Sequence, residues 1–191
     1  PGVKVVVPSN PYDAKGLLMS AIQEDNLVVF SEDKTLLGQK GNVPEEPYTI
    51  EIGKANVTRE GDDLTIVAIG KIVAVAEETA EKLAEDQVSV EVIDLRSVSP
   101  WDQETVLDSV KKTGRLIVID ESNPQCNIAG DVASVIGDVG FDYLDGPIKK
   151  VTAPDTPVPF AANLEAAYMP NADKVLNIAS DLIDDLKKAN A

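Results

Sequence analysis

Histidine is missing from all 191 residues of this chain. That absence removes the side chain most often used for proton transfer at neutral pH and the commonest metal ligand. Serine–histidine triads, zincin motifs and zinc fingers are excluded with it. Cysteine is nearly as scarce: Cys126 stands alone, so no intrachain disulfide can form and a reducing, cytoplasmic compartment fits. No apolar run approaches the roughly 18 residues of a membrane span, and no signal peptide is visible. Positive charge is also short, with 17 Lys and Arg against 33 Asp and Glu and a formal net charge of −16. Nucleic acids and anionic membrane surfaces, which draw on Lys and Arg, are excluded as partners. A basic protein is the natural complement. The chain also lacks an initiator methionine and runs from Pro1 straight into apolar Val5-Val6-Val7, which reads as a chain cut from something longer, with a processed mature N-terminus as the alternative.

What is present is ordinary for a packed protein, with 43% hydrophobic and 26% charged residues. The opening reads strand, helix, strand. Lys4 to Val7 is apolar, Pro8-Ser9-Asn10-Pro11 is a turn, Leu17, Leu18, Ala21 and Ile22 share a helical face, and Leu27 to Phe30 is a second buried strand. Such a βαβ unit has parallel strands and cannot bury itself, so it should belong to a larger sheet. Residues 34–60 are broken by glycine and proline and read as a linker, with short strands near Tyr48 to Ile52.

Beyond it, strands at Asp63–Ile69, Val88–Leu95, Arg115–Asp120 and Ile148–Thr152 alternate with helices. One helix, from Lys71 to Glu85, turns Ile72, Val73, Ala76, Ala80 and Leu83 to one side, and another does so with Ile128, Val132, Val135 and Ile136. A third starts at Ser99-Pro100-Trp101-Asp102, with Ser99 as N-cap, Pro100 in the first helical position and Asp102 closing a capping box. The last begins near Asn171 and carries Val175, Leu176, Ala179, Leu182, Ile183 and Leu186 as a stripe. The pattern predicts a doubly wound α/β domain over 61–191.

Few residues suggest chemistry. Gly70 lies between strand and helix, where a phosphate can sit, but no Gly-x-Gly-x-x-Gly or Walker lysine accompanies it, and a turn glycine is the plainer reading. Asp120 and Glu121 end a strand and could serve as acid and base or hold a cation, although a solvated strand end is favoured. Cys126 precedes a helix start that would favour a thiolate, yet no histidine exists to activate it, so a small buried residue is preferred. The pairs Asp62-Asp63, Glu77-Glu78 and Asp184-Asp185 read as polar faces.

Several blocks nevertheless resemble a known family. They are Pro1-Gly-Val-Lys-Val-Val-Val-Pro-Ser, Pro11-Tyr-Asp-Ala-Lys-Gly-Leu-Leu, Val43-Pro-Glu-Glu-Pro-Tyr, Ile93-Asp-Leu-Arg-Ser-Val-Ser-Pro and Thr152-Ala-Pro-Asp-Thr-Pro-Val-Pro-Phe. In order and over nearly the whole chain they are similar to β subunits of thiamine-diphosphate-dependent 2-oxo acid dehydrogenases. The stretch Val118-Ile-Asp-Glu-Ser-Asn-Pro-Gln-Cys-Asn-Ile-Ala looks most like the acetoin dehydrogenase branch.

The resemblance implies an α/β fold: a transketolase C-terminal-domain-like sheet flanked by helices at 61–191, a linker at 34–60, and at 1–33 the βαβ tail of a thiamine-pyrimidine-binding domain. It implies an α2β2 enzyme that passes an acyl group to lipoate, with an α subunit, a second β subunit and a lipoyl acyltransferase core as partners. The glutamate that activates thiamine diphosphate would lie upstream of Pro1, and the diphosphate and its magnesium would belong to the α subunit, leaving this chain inactive alone. By resemblance, the carbonyls of Ala21 and Glu24 and the Asn26 side chain would hold potassium, which suits oxygen ligands. An ordinary helix end is the alternative there. Asp145 would dock a basic domain of the acyltransferase, or be a plain turn aspartate. Many relatives carry His where Asp120 and Asp155 stand, so no proton transfer is assigned there. Two other readings stay open: the C-terminal part of a transketolase or deoxyxylulose-phosphate synthase, and a non-catalytic assembly module.

Overall fold

The computed structural model describes residues 2–189, with side chains through 183. Pro1 lies outside what is described, as do the side chains of the pair Asp184-Asp185 and of Leu186 in the last stripe. The core is a five-stranded sheet whose centre is apolar on both faces. Its strands are β3 (Asn56–Arg59), β4 (Leu64–Ala68), β5 (Val90–Asp94), β7 (Leu116–Ile119) and β8 (Lys149–Val151), in the order β3-β5-β4-β7-β8. All pairings are parallel except β3 with β5. Every residue of β4, β5 and β7 is buried, as expected of parallel strands covered on both sides.

Alternation along the strands assigns the two faces. Leu64, Ile66, Ile117 and Ile119 point toward α2 (Val73–Glu85) and α6 (Ala172–Ala189), meeting Ala76, Ala80, Leu83, Val175, Ala179 and Leu182. Val67, Ile93, Leu116 and Val118 face α3 (Gln103–Thr113) and α4 (Ile128–Val139), where they meet Val106, Val110, Val132 and Ile136. Each such side chain contributes about 1.5–3 kcal/mol on burial. Thr65 is the polar exception in β4, and its hydroxyl bonds Ser109 at 2.6 Å and Thr113 at 2.7 Å.

A second, three-stranded sheet holds the start of the chain. It is ordered β2-β1-β6, from β2 (Val28–Phe30), β1 (Lys4–Val6) and β6 (Ser97–Ser99). The strands β1 and β2 are parallel and joined by α1 (Pro11–Gln23), so the expected βαβ unit is present. Its third strand comes from the middle of the sequence, because β6, Ser97–Ser99, pairs antiparallel with β1. The two sheets therefore share the segment around residues 94–99.

Several expectations need correction. The β2 strand is an edge rather than a buried strand, with Leu27 67% and Val29 45% exposed. Of the α1 face, Leu17 is fully buried but Leu18 and Ile22 are exposed, because α1 is covered mainly on the side where 48–50 crosses it. The stretch Tyr48–Ile52 is not a strand. It is an irregular strap, with Ile50 N–H bonding Gly16 O and Ser20 Oγ and the Tyr48 ring stacked on Tyr12 at 4.6 Å. The strand in that region is β3, which lies inside the stretch read as linker and edges the main sheet. The Lys71 helix begins with a tight turn, Gly70–Ile72, before α2. Val135 is half-buried, and the short helix α5 (Ala162–Tyr168) was not anticipated in its proline-flanked context.

The start of α3 is also displaced. Ser99 is extended and paired with Val5 in β6, so it cannot cap. Asp102 is the N-cap. Its carboxylate accepts from Thr105 N at 3.2 Å and Thr105 Oγ1 at 2.8 Å, and from Ala55 N at 3.1 Å. These bonds, with the nearby Lys54 ammonium at 3.7 Å, outweigh burial and hold the Asp102 carboxyl below the usual carboxylate range. Asp102→Ala should therefore cost about 2 kcal/mol in urea unfolding, whereas Ser99→Ala should stay within about 0.5 kcal/mol. A larger loss at Ser99 than at Asp102 would contradict this cap.

Candidate functional site

The seam between the two sheets is built by two of the sequence blocks. Pro8 to Pro11 leaves β1 and starts α1, with Asn10 as the N-cap accepting from Asp13 N at 2.9 Å. Proline at the first helical position suits this start, because its missing N–H would be unpaired there. One turn in, Asp13 is fully buried. Its carboxylate takes a bidentate pair from Arg96, Nε at 2.9 Å and Nη2 at 2.6 Å, and a third bond from Asn10 Nδ2 at 2.8 Å. Planar fork-to-carboxylate geometry is the arrangement that suits arginine best.

Arg96 stands just beyond β5 with φ 57, in the left-handed region that is costly for a side chain larger than glycine. The bond from Arg96 N–H to Asp94 Oδ1, at 2.9 Å, stabilises that turn. Asp94 is fully buried at the end of β5, and the Ser9 hydroxyl donates to its other oxygen. Burial pushes the Asp94 pKa up to about 6, against the hydrogen bonds from Ser9 and Arg96. Ser9, Asn10, Asp13, Asp94 and Arg96 thus form one clasp.

Beside the clasp, at the carboxyl ends of β1, β2, β4 and β7, a cleft is lined by Val7, Asp33, Gly70, Lys71, Glu121 and Cys126, among others. Lys71 spans it and pairs with Asp33 and Glu121, each at 2.9 Å. Partial burial works against the ammonium, but these bonds outweigh it and hold the Lys71 pKa above the ordinary lysine value. Burial likewise opposes ionisation of Asp33, yet bonds from Thr35 and Lys71 leave it below the usual carboxylate range. With Glu32, Asp33, Asp120 and Glu121 around one cation, the cleft is acidic. Gly70 is a packing and turn glycine with φ 60, and a Cβ on it would lie 3.0 Å from Val7.

Two readings of this region are corrected. Asp120 is not a solvated strand end. It is 3% exposed and accepts from Ser122 N at 2.9 Å and Ala129 N at 3.5 Å, fastening the approach to α4. Cys126 is exposed rather than buried, with φ 52, because Asn127 beside it turns inward to cap α4 through Gly130 N at 2.7 Å.

The residues assigned by resemblance lie apart from the cleft. Ala21, Glu24 and Asn26 sit where α1 ends and its last carbonyls run out of intrahelical partners. The Glu24 side chain is engaged by Lys4 at 2.5 Å, which leaves its backbone carbonyl as the assigned donor. Asp145 is exposed on the opposite side of the domain, next to α3 and α4. Its N–H bonds Gly114 O at 2.8 Å, and its carboxylate lies so close to Gly114 that a Cβ there would come within 2.3 Å. A shallow depression of Phe141, Leu144, Pro147 and Ile148 adjoins it. The clasp residues and Lys71 went unassigned in the sequence reading. The available signal was that Asp13, Asp94 and Arg96 all fall inside the resembling blocks.

The family model described as transketolase, C-terminal domain, matches residues 53–175. The β subunit of acetoin:2,6-dichlorophenolindophenol oxidoreductase from Bacillus subtilis is 53% identical over 183 residues, covering 96% of this chain and 54% of that one. The pyruvate dehydrogenase E1 component β subunit of the same organism is 47% identical over 185 residues, covering 96% and 57%. The chain thus spans about half the length of the curated relatives it matches. Among solved structures, a split-gene transketolase described as an inactive β4 tetramer superposes with TM-score 0.81 at 24% identity, over 96% of this chain and 58% of its own, which speaks for the fold.

Removing the charge partner of Asp13 should be severe. Arg96→Met should cost about 3–5 kcal/mol in urea unfolding, because it strands a buried carboxylate. Lys71→Met, at a partly exposed pair, should cost about 1 kcal/mol or less. Equal losses at the two positions would show that burial of the clasp is energetically unimportant.

Proposed function

The chain belongs to the transketolase C-terminal domain family, as found in β subunits of 2-oxo acid dehydrogenases, and from that premise we propose that it is the C-terminal segment of such a subunit. The enzyme would be the decarboxylating or cleaving component of an acetoin or 2-oxo acid dehydrogenase complex, and this segment would serve assembly and docking. The observation that carries the reading is identity of 53% over nearly all of this chain. What supports it in the fold is that the resembling blocks around Asp13 and Arg96 meet in a single clasp around two buried carboxylates.

The residues present do not fit thiamine diphosphate. The cleft at the strand ends is acidic and its lysine is already paired twice, so a diphosphate would meet repulsion there. Among the described residues no group of three or more His, Cys, Asp or Glu is placed to hold a metal ion. In our reading thiamine diphosphate and magnesium are held by an α subunit and by upstream parts of the β subunit. Potassium is assigned to the Ala21 and Glu24 carbonyls and the Asn26 side chain. The negative end of the α1 dipole favours a cation at that point.

Partner surfaces follow from what is left uncovered. Val158, Phe160 and Leu164 are exposed in and after the proline-rich stretch, with Phe160 fully so. We assign this edge to contacts with the α subunit or a second β subunit, and Asp145 with the Phe141 depression to the basic binding domain of a lipoyl acyltransferase core. Charge at such a rim acts mainly through association rate. No helix among the described residues is long and apolar enough to cross a membrane. A single exposed thiol agrees with a reducing, cytoplasmic setting.

Two measurements test the reading. The purified chain should show no thiamine-dependent turnover of acetoin or pyruvate, and measurable turnover by it alone would contradict the assignment. Asp145→Lys should slow association with an isolated acyltransferase binding domain by about tenfold at low salt. An unchanged rate would remove Asp145 from the docking surface.

A further inference from the structure

Asp94 is fully buried, yet both of the guanidinium's bonds in the clasp go to Asp13. What Asp94 receives is neutral: the Arg96 backbone N–H on one oxygen and the Ser9 hydroxyl on the other. The charged groups that face it are Asp13 from α1 and Arg96 from the turn after β5. The neighbouring strands place Asn56 and Ala68 opposite it, neither of which titrates in the ordinary range. With both carboxylates ionised, the clasp holds two negative charges against one positive charge, and the surplus lies where water cannot screen it. One proton on Asp94 removes the surplus without breaking the Asp13–Arg96 pair. Ser9 can serve either state. Its oxygen already accepts from Asn10 Nδ2 at 3.1 Å, and its hydroxyl can donate to the carboxylate or accept from the acid.

We propose that the Ser9–Asp94–Arg96–Asp13 clasp is a proton-sensitive latch that holds the N-terminal βαβ unit on the main domain most firmly when Asp94 is protonated. Everything that ties Asp94 to that unit crosses the seam, through Ser9 before α1 and through Arg96 to Asp13 within it. Loss of the proton therefore loosens this junction before it loosens the sheet core. The sign follows from linkage: a carboxyl raised from 3.8 to about 6 in the folded state contributes stability that is fully present below pH about 4 and is lost as pH rises through about 6.

Amide hydrogen exchange on the full chain tests this. After correction for intrinsic rates, the opening equilibrium of α1 amides should rise about tenfold between pH 5 and pH 7.5, the part of the Asp94 titration that falls in that window. In Asp94→Asn, where a neutral amide takes the place of the acid, that dependence should vanish. A flat profile in the unmodified chain, or the same slope in Asp94→Asn, would overturn the proposal. Carbon-13 carboxyl NMR of the unmodified chain gives a reading free of any folding defect. An Asp94 midpoint near 6 supports the latch, and a midpoint near the ordinary aspartate value contradicts it.

Discussion

A half-buried guanidinium bound to a fully buried carboxylate 83 positions away is the constraint on which the arrangement depends. The Asp13 carboxylate is not tolerable in the interior alone, since an unpaired charge there costs several kcal/mol. The pair therefore fixes α1 against the end of β5. To reach Asp13, Arg96 accepts a left-handed backbone, and the chain then doubles back as β6 to become the third strand of the small sheet. The same turn anchors the strap between the two sheets. Ser97 Oγ accepts from Gly53 N at 3.0 Å, and Asp102 holds Ala55 N while capping α3. A short segment, 94–102, thus connects two sheets, one strap and one helix start.

That geometry explains where chemistry can and cannot sit on this chain. The strand ends converge on a cleft, as they do in other α/β folds, but its lining is acidic and its one lysine is committed to Asp33 and Glu121. Such a cleft suits fixed structure better than a phosphate cofactor. In the proposed reading the surfaces left for partners are elsewhere, at the Asp145 depression and along the exposed Val158–Phe160 stretch. On the function proposed, a family member built this way would contribute scaffold and recognition to an assembly.

Much of the main domain was legible in the sequence. The continuous apolar runs of β4, β5 and β7 could be little else than strands buried on both faces, and the helical stripes of α2, α4 and α6 followed from period alone. The misreadings share a cause: they fall where tertiary contact overrides local signal. Ser99-Pro100 has the composition of a helix start, but pairing with Val5 draws Ser99 into a strand and hands the cap to Asp102. β3 looked like linker because its worth lies in pairing with β5, which no local pattern announces. The clasp was hidden for the same reason, since its members are ordinary turn and helix-start residues until the fold brings them together. Cys126 and Asp120 exchanged places between expectation and structure: the helix cap turned Asn127 inward and exposed the thiol, while backbone donors after β7 drew the carboxylate in.

The central claim is that the Asp13–Arg96 contact itself, and not the volume of either side chain, holds the N-terminal unit in place. A double-mutant cycle of Asp13→Asn and Arg96→Met, read by urea unfolding of the full chain, measures that contact directly. A coupling of about 2 kcal/mol is expected, with the double variant less damaged than the sum of the single ones. Losses that add to within about 0.5 kcal/mol would contradict it.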